Sequence, residues 1–151
     1  MRFLVFAAIA ATLPLGAMAE DDSPEVTAMK ARQGYFKLLG ANMEVLAGMA
    51  KGEIPYDEER AAMHASNIET LSQYNLGFHF PEGTSSDDLE GSGALPKIWT
   101  ELDGVVAKHA DLAKAATGAG DAVRGGEGNV GPVVQALGGT CKACHDNYRK
   151  K

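Results

Sequence analysis

Between Pro24, Pro55, Pro81, Pro96 and Pro132 the apolar residues of this chain recur at steps of three, four or seven and do not alternate. That period predicts helices and no strands. A first helix is expected from Ser23-Pro24-Glu25, where a capping serine precedes a proline at the first helical position, to about Lys51, with Gly52 as the stop. Its stripe holds two ladders at heptad spacing: Met29, Phe36, Met43 and Ala50, and beside them Arg32, Leu39 and Leu46. A second helix is expected from about Asp57 to Asn75 and a third from near Pro96 to about Ala116. A fourth starts near Pro132 and carries Val134, Leu137, Cys141, Cys144 and Tyr148. Connections at 52–56, 77–94 and 117–131 join them, the middle one long and rich in turn residues. The expected fold is therefore all-α, an up-down-up-down four-helix bundle.

The stretch ahead of the first helix has another purpose. Arg2 precedes an apolar run from Phe3 to Leu13, and Ala17-Met18-Ala19 forms an A-x-A cleavage site. The run falls short of the ~20 apolar residues that span a bilayer, and Pro14 and Gly16 interrupt it. Residues 1–19 are expected to be a cleaved signal peptide and 20–151 the single mature domain. In a Gram-negative bacterium the destination would be the periplasm.

Charge and composition then narrow the partners. The 151 residues carry 14 basic and 20 acidic side chains, a formal charge of −6, and loss of Arg2 with the leader deepens it to −7. An acidic surface is not expected to hold nucleic acid, whose phosphates need a basic face. No later apolar run is long enough for a membrane anchor. Two cysteines are too few for the disulfide framework of a small exported domain.

Those cysteines stand instead in Cys141-Lys142-Ala143-Cys144-His145, the attachment signal of a c-type haem. On a helix the two thiols lie one turn apart, placed to bond the two vinyl groups of one macrocycle. His145, four residues after Cys141, shares their face and can ligate the iron. A thioredoxin-like CxxC would open a helix beside a βαβ pattern, and a zinc site would need a second ligand pair. One covalent haem c per chain is the expectation. Arg32 adds a second clue, because it stands where the seam calls for an apolar side chain. A buried guanidinium needs an anion, and a haem propionate would supply one. The start of the first helix and the end of the fourth share one end of the bundle. Haem, Arg32, Phe36, Trp99 and the 77–94 loop are expected to converge there.

The sixth position of the iron decides between two kinds of protein. Met43, Met49, Met63, His64 and His109 fall at the wrong end or level, which leaves Met29 and His79. Phe36, one turn beyond Arg32, cannot ligate; over the iron it would make a dry pocket for small uncharged molecules. The five-coordinate state is expected.

The run from Cys141 to Arg149, the pair Arg32-Gln33, the loop Phe80-Pro81-Glu82-Gly83-Thr84-Ser85-Ser86 and Ile98-Trp99 resemble the cytochrome c′ family, and the resemblance covers the whole mature chain. It implies a four-helix bundle, usually a homodimer, whose high-spin haem binds nitric oxide and carbon monoxide. It also implies roles: Cys141 and Cys144 as thioethers, His145 as the metal ligand, Arg32 and Gln33 at a propionate. Phe36 would lie above the iron, Thr84 and Ser85 along the haem edge, and Arg149 beside the proximal face. Small residues (Ala28, Ala31, Gly34, Ala41, Ala61, Ala62) are expected on the outward faces of the first two helices, where a dimer could form.

The expected function is that of a periplasmic gas-binding haem protein with electron-transfer capacity toward a small redox partner. Nitric oxide is expected to be able to displace His145, which lies near a frayable helix end. Enzymatic turnover is not expected, since no acid–base group stands beside Phe36. The alternative is a low-spin electron carrier like cytochrome c-556, with Met29 or His79 as sixth ligand.

Overall fold

The computed structural model describes residues 22–151, so the leader lies outside the described residues. Four long helices form the body: α1 (Pro24–Ala50), α2 (Glu58–Ser72), α3 (Leu102–Ala116) and α5 (Val130–Tyr148), with a one-turn helix α4 (Ala119–Ala122) before the last. Helix α1 packs against α2 and α5, and α3 packs against the same two, which closes the up-down-up-down bundle. Among the described residues there is no β-strand, only an isolated antiparallel bridge between Ala94 and Arg149.

The helix starts follow from local chemistry. The Ser23 hydroxyl accepts the Val26 N–H at 3.3 Å with Pro24 in the first turn, and Asp57 accepts the Arg60 N–H at 2.8 Å. Gly52 ends α1 in a left-handed conformation (φ +71°), which suits a residue without a Cβ. Leu46, Met49, Ile68, Val123, Val130 and Leu137 form the fully buried heart of the core. Each of the large aliphatic ones contributes on the order of 2 kcal/mol by leaving water.

Three boundaries differ from the periodic reading. Pro96 opens a separate 3₁₀ turn, Pro96–Trp99, and α3 starts only at Leu102. The break turns the Trp99 indole back to donate to the Pro81 carbonyl at 2.9 Å. Helix α2 stops at Ser72, which frees Tyr74 to stack on Tyr35. The 117–131 connection contains α4, and α5 begins at Val130, two residues before Pro132. At α4, Arg124 draws Glu58, Glu59 and Asp121 together on the surface.

The seam of α1 is rotated from the expected one. Beside Arg32, Leu39 and Leu46, the buried ladder is Tyr35, Asn42 and Met49, whereas Phe36 is 37% exposed and Met43 and Ala50 are half-buried. Two neighbouring helices widen the buried arc, and its polar members find partners inside. Asn42 donates to the Leu38 carbonyl at 2.8 Å, while its own oxygen pairs with His64 Nδ1 at 2.9 Å and accepts from Asn67 at 3.1 Å. Ala61 and Ala62 also correct the expectation. They are buried, not outward-facing, and Gly120 of α4 lies close over Ala62 and Ser66.

Candidate haem site

The site grows from the last turns of α5. Cys141 and Cys144 are free thiols, both half-buried, and Cys141 packs against the core cluster that contains Tyr35. Burial raises both thiol pKa values, and the nearby Lys108 opposes this at Cys144. His145 stands exposed, and its ring makes no hydrogen bond among the described residues. Burial and then Arg149 hold its pKa below the usual value, against a smaller opposing pull from Asp146. The imidazole is therefore neutral at pH 7, the form that offers a lone pair to a metal. Two thiols one turn apart with a free imidazole beside them are the donor set a covalently attached haem requires. The exposed Phe36 ring is an apolar surface such a macrocycle would cover.

The end of α5 is tied down, not frayed. Arg149 N–H bonds His145 O at 3.2 Å, Leu95 N–H bonds Tyr148 O at 3.0 Å, and Lys150 N–H bonds Gly93 O at 2.9 Å. A Cβ at Gly104 would collide with the Tyr148 hydroxyl, so the glycine lets this tyrosine lie against α3. The Lys97 ammonium stands 5.0 Å from the centre of the Tyr148 ring. Arg149 itself is exposed.

Across the bundle end, Arg32 is 4% exposed and finds no carboxylate. Its partners are neutral: Nη1 donates to His79 O at 2.9 Å and Thr84 Oγ1 at 3.0 Å, and Nη2 donates to Thr84 O at 2.9 Å and Ser92 Oγ at 3.2 Å. The guanidinium also lies 4.7 Å from the centre of the Phe80 ring. Loop carbonyls and hydroxyls thus accept all four Nη protons. Only the Nε–H is left without an acceptor among the described residues. Gln33 works on the same loop, donating to Gly91 O at 2.9 Å. Thr84, fully buried, donates to Pro81 O at 2.9 Å. Ser85 is 3% exposed and donates to Asp88 Oδ2 at 2.6 Å. Ser92 donates to Thr84 O at 2.8 Å. Trp99 meets Phe80 edge-on at 6.1 Å.

Arg32, Gln33, Thr84, Ser85 and Trp99 therefore converge on one loop. Phe36 stands apart from them, with its ring 5.3 Å from that of Tyr35. The two candidates for a sixth ligand sit differently. Met29 is buried at 7% exposure, and the His79 ring stacks on Tyr74 with Nε2 bonded to the Tyr74 hydroxyl. His109 Nε2 lies 2.6 Å from the Tyr35 hydroxyl, which is also 3.1 Å from Leu71 O. Periodicity could not reveal Ser92, Tyr35 or Tyr74 as parts of this end, because their partners on other elements lie 36 to 74 residues away.

Known proteins share this sequence pattern and fold. A family model described as Cytochrome C′ matches residues 27–149. The chain is 40% identical to cytochrome c′ of Cereibacter sphaeroides, covering 100% of this chain and 99% of the relative. It is 33% identical to a cytochrome c-556 of Agrobacterium tumefaciens, covering 80% and 94%. The structure of cytochrome c′ from Rhodobacter Spheriodes superimposes with a TM-score of 0.80 at 39% identity, covering 85% and 99%. A nitric oxide complex of a cytochrome c prime mutant from Alcaligenes xylosoxidans superimposes with a TM-score of 0.70 at 28% identity, covering 87% and 99%. With the matched model spanning both Arg32 and the cysteine pair, the chain belongs to the cytochrome c′ family of haem c proteins.

Proposed function

We propose that this haem protein binds small uncharged gases, nitric oxide and carbon monoxide, at a five-coordinate iron. In this reading Cys141 and Cys144 form the two thioethers and His145 is the only protein ligand to the metal. Phe36 covers the opposite face. The observation that carries the reading is that every imidazole but His145 already has a hydrogen-bond partner. Placing His79 on the iron would break its stack and hydrogen bond with Tyr74, and Met29 already has a buried berth. His64 and His109 are paired with Asn42 and Tyr35. His145 alone among the four imidazoles has a ring free of hydrogen bonds among the described residues. A mutant of the related Alcaligenes protein forms a nitric oxide complex, which supports the gas-binding reading.

Phe36 cannot donate a hydrogen bond, so the pocket favours nitric oxide and carbon monoxide over dioxygen, whose bound form needs polar stabilisation. The free Nε–H of Arg32 and the basic Arg149 are the groups positioned to meet haem propionate or edge charge. Thr84, Ser85 and Gln33 act by fixing the loop that borders the haem. Residues 1–19 direct export and are removed before Glu20, which makes the site of action the periplasm. No helix of the described residues is long and apolar enough to cross a membrane. The protein acts by binding and by one-electron exchange, not by turnover, as a homodimer. Ferric and ferrous absorption spectra with and without nitric oxide and carbon monoxide test the reading. High-spin bands and gas-induced shifts are expected. A low-spin ferric spectrum with a methionine–iron charge-transfer band would instead establish Met29 as a sixth ligand.

A further inference from the structure

Two of the four tyrosines have a histidine at the phenol, and these two are stacked on each other. The Tyr35 and Tyr74 rings lie 5.6 Å apart at 30°. The Tyr35 hydroxyl is 2.6 Å from His109 Nε2, and the Tyr74 hydroxyl is hydrogen-bonded to His79 Nε2. The pair also runs from inside to outside. Tyr35 is 8% exposed and sits in the cluster against which Cys141 packs, and burial pushes its phenol pKa up. Tyr74 is 47% exposed. The remaining tyrosines lack this arrangement: Tyr56 donates to the Val123 carbonyl at 3.0 Å, and Tyr148 lies under Lys97.

A phenol gives up an electron readily only when its proton has somewhere to go at hydrogen-bond distance. A carbonyl such as Leu71 O can accept a hydrogen bond but cannot take the proton; a neutral imidazole can. Burial keeps the His109 pKa below the usual value, so the ring is neutral at pH 7. His109 and Tyr74 both line an open groove of about 220 Å³ along α3, which gives the proton a way to water.

We propose that Tyr35 and Tyr74 form a two-step path that carries oxidising equivalents from the haem to the surface, each phenol passing its proton to its own histidine. The oxidant is hydrogen peroxide reaching the open iron. In balance, one H₂O₂ and two phenols give two waters and two phenoxyl radicals. With the haem bound, the O–O bond would break there, and each phenol would give up one electron toward the haem and one proton by way of His109 or His79. The two protons end on the waters. Exposed Tyr74 radicals of two molecules then couple into a dityrosine bond, or an external reductant restores the phenols. The path rests on the haem the family carries, and it protects the buried pocket without making the protein an efficient peroxidase.

The test uses ferric holoprotein carrying ring-deuterated tyrosine, mixed with hydrogen peroxide and freeze-quenched for electron paramagnetic resonance. A tyrosyl signal narrowed by the label is expected, together with covalent dityrosine dimers on a denaturing gel. Tyr74→Phe should keep a radical at Tyr35 but lose the dimers. Tyr35→Phe should lower the Tyr74 signal about tenfold, and His79→Gln should slow its appearance. Tyr148→Phe should change nothing. The proposal is overturned by a wild-type protein without a tyrosyl signal, or by an undiminished one in the Tyr35→Phe/Tyr74→Phe double variant. An unaltered haem spectrum on adding peroxide would also overturn it. Carbon monoxide binding, measured on the same samples, reports folding and tests the gas-binding reading separately.

Discussion

Arg32 on α1 and His145 on α5 occupy the same end of the bundle, but their surroundings differ in kind. Arg32 is buried with four hydrogen bonds made and an aromatic face against it. The loop it holds is complete in itself: its hydroxyls, carbonyls and indole are paired with one another. On the α5 side two thiols are unbridged, an imidazole is unpaired and a phenylalanine ring is left partly bare. The first region is held by hydrogen bonds within the chain, and the second carries the donor set that a covalently attached haem would use.

The strongest way to break this comparison is to remove the attachment. Cys141→Ala/Cys144→Ala should abolish covalent haem altogether, read by mass spectrometry of the exported protein. Amide exchange in the 79–94 loop should stay slow; equal loss of protection there would show that the loop also depends on the haem. Next in size is Arg32→Leu, which leaves Thr84 Oγ1 and the His79 carbonyl without the Arg32 donor. A loss of about 3–5 kcal/mol in denaturant unfolding is expected, with new protease cuts in the loop. Arg32→Lys should recover only part of it, because an ammonium cannot reproduce the planar fork. Tyr35→Phe removes one hydroxyl between two partners and should cost about 1–2 kcal/mol while leaving haem content unchanged. Ser23→Ala loses the α1 cap and should cost about 1 kcal/mol.

The smallest effect concerns pH. Burial lowers the His109 pKa in the folded state, so the unfolded chain binds more protons once the pH falls below its ordinary value of 6.5. Stability should therefore decline as the pH drops through that value toward the lowered folded one. His109→Gln should flatten that part of the stability curve.

How much of this was legible beforehand depends on the range of the interaction. The start of α1 was readable because Ser23 and Pro24 act on groups within three residues. The cysteine pair and His145 were readable because the chemistry needs them one turn apart. The 3₁₀ break after Pro96 was not, because it exists to let Trp99 reach Pro81, a partner 18 residues away. Arg32 stands out in an apolar seam and is buried, but the loop carbonyls and hydroxyls that accept from it lie 47 to 60 residues away and carry no signature in the sequence. The rotated seam of α1 has a similar cause. Asn42 looks like a surface residue until His64 and Asn67 appear beside it.

The opposite end of the bundle is fastened by other means. There Arg124 joins α4 to the start of α2 through Glu58 and Glu59, and all of these side chains are open to solvent. Charges so placed are screened as ionic strength rises, whereas the neutral contacts around Arg32 are not. Added salt should therefore loosen the Arg124 end selectively and leave the Arg32 end unchanged.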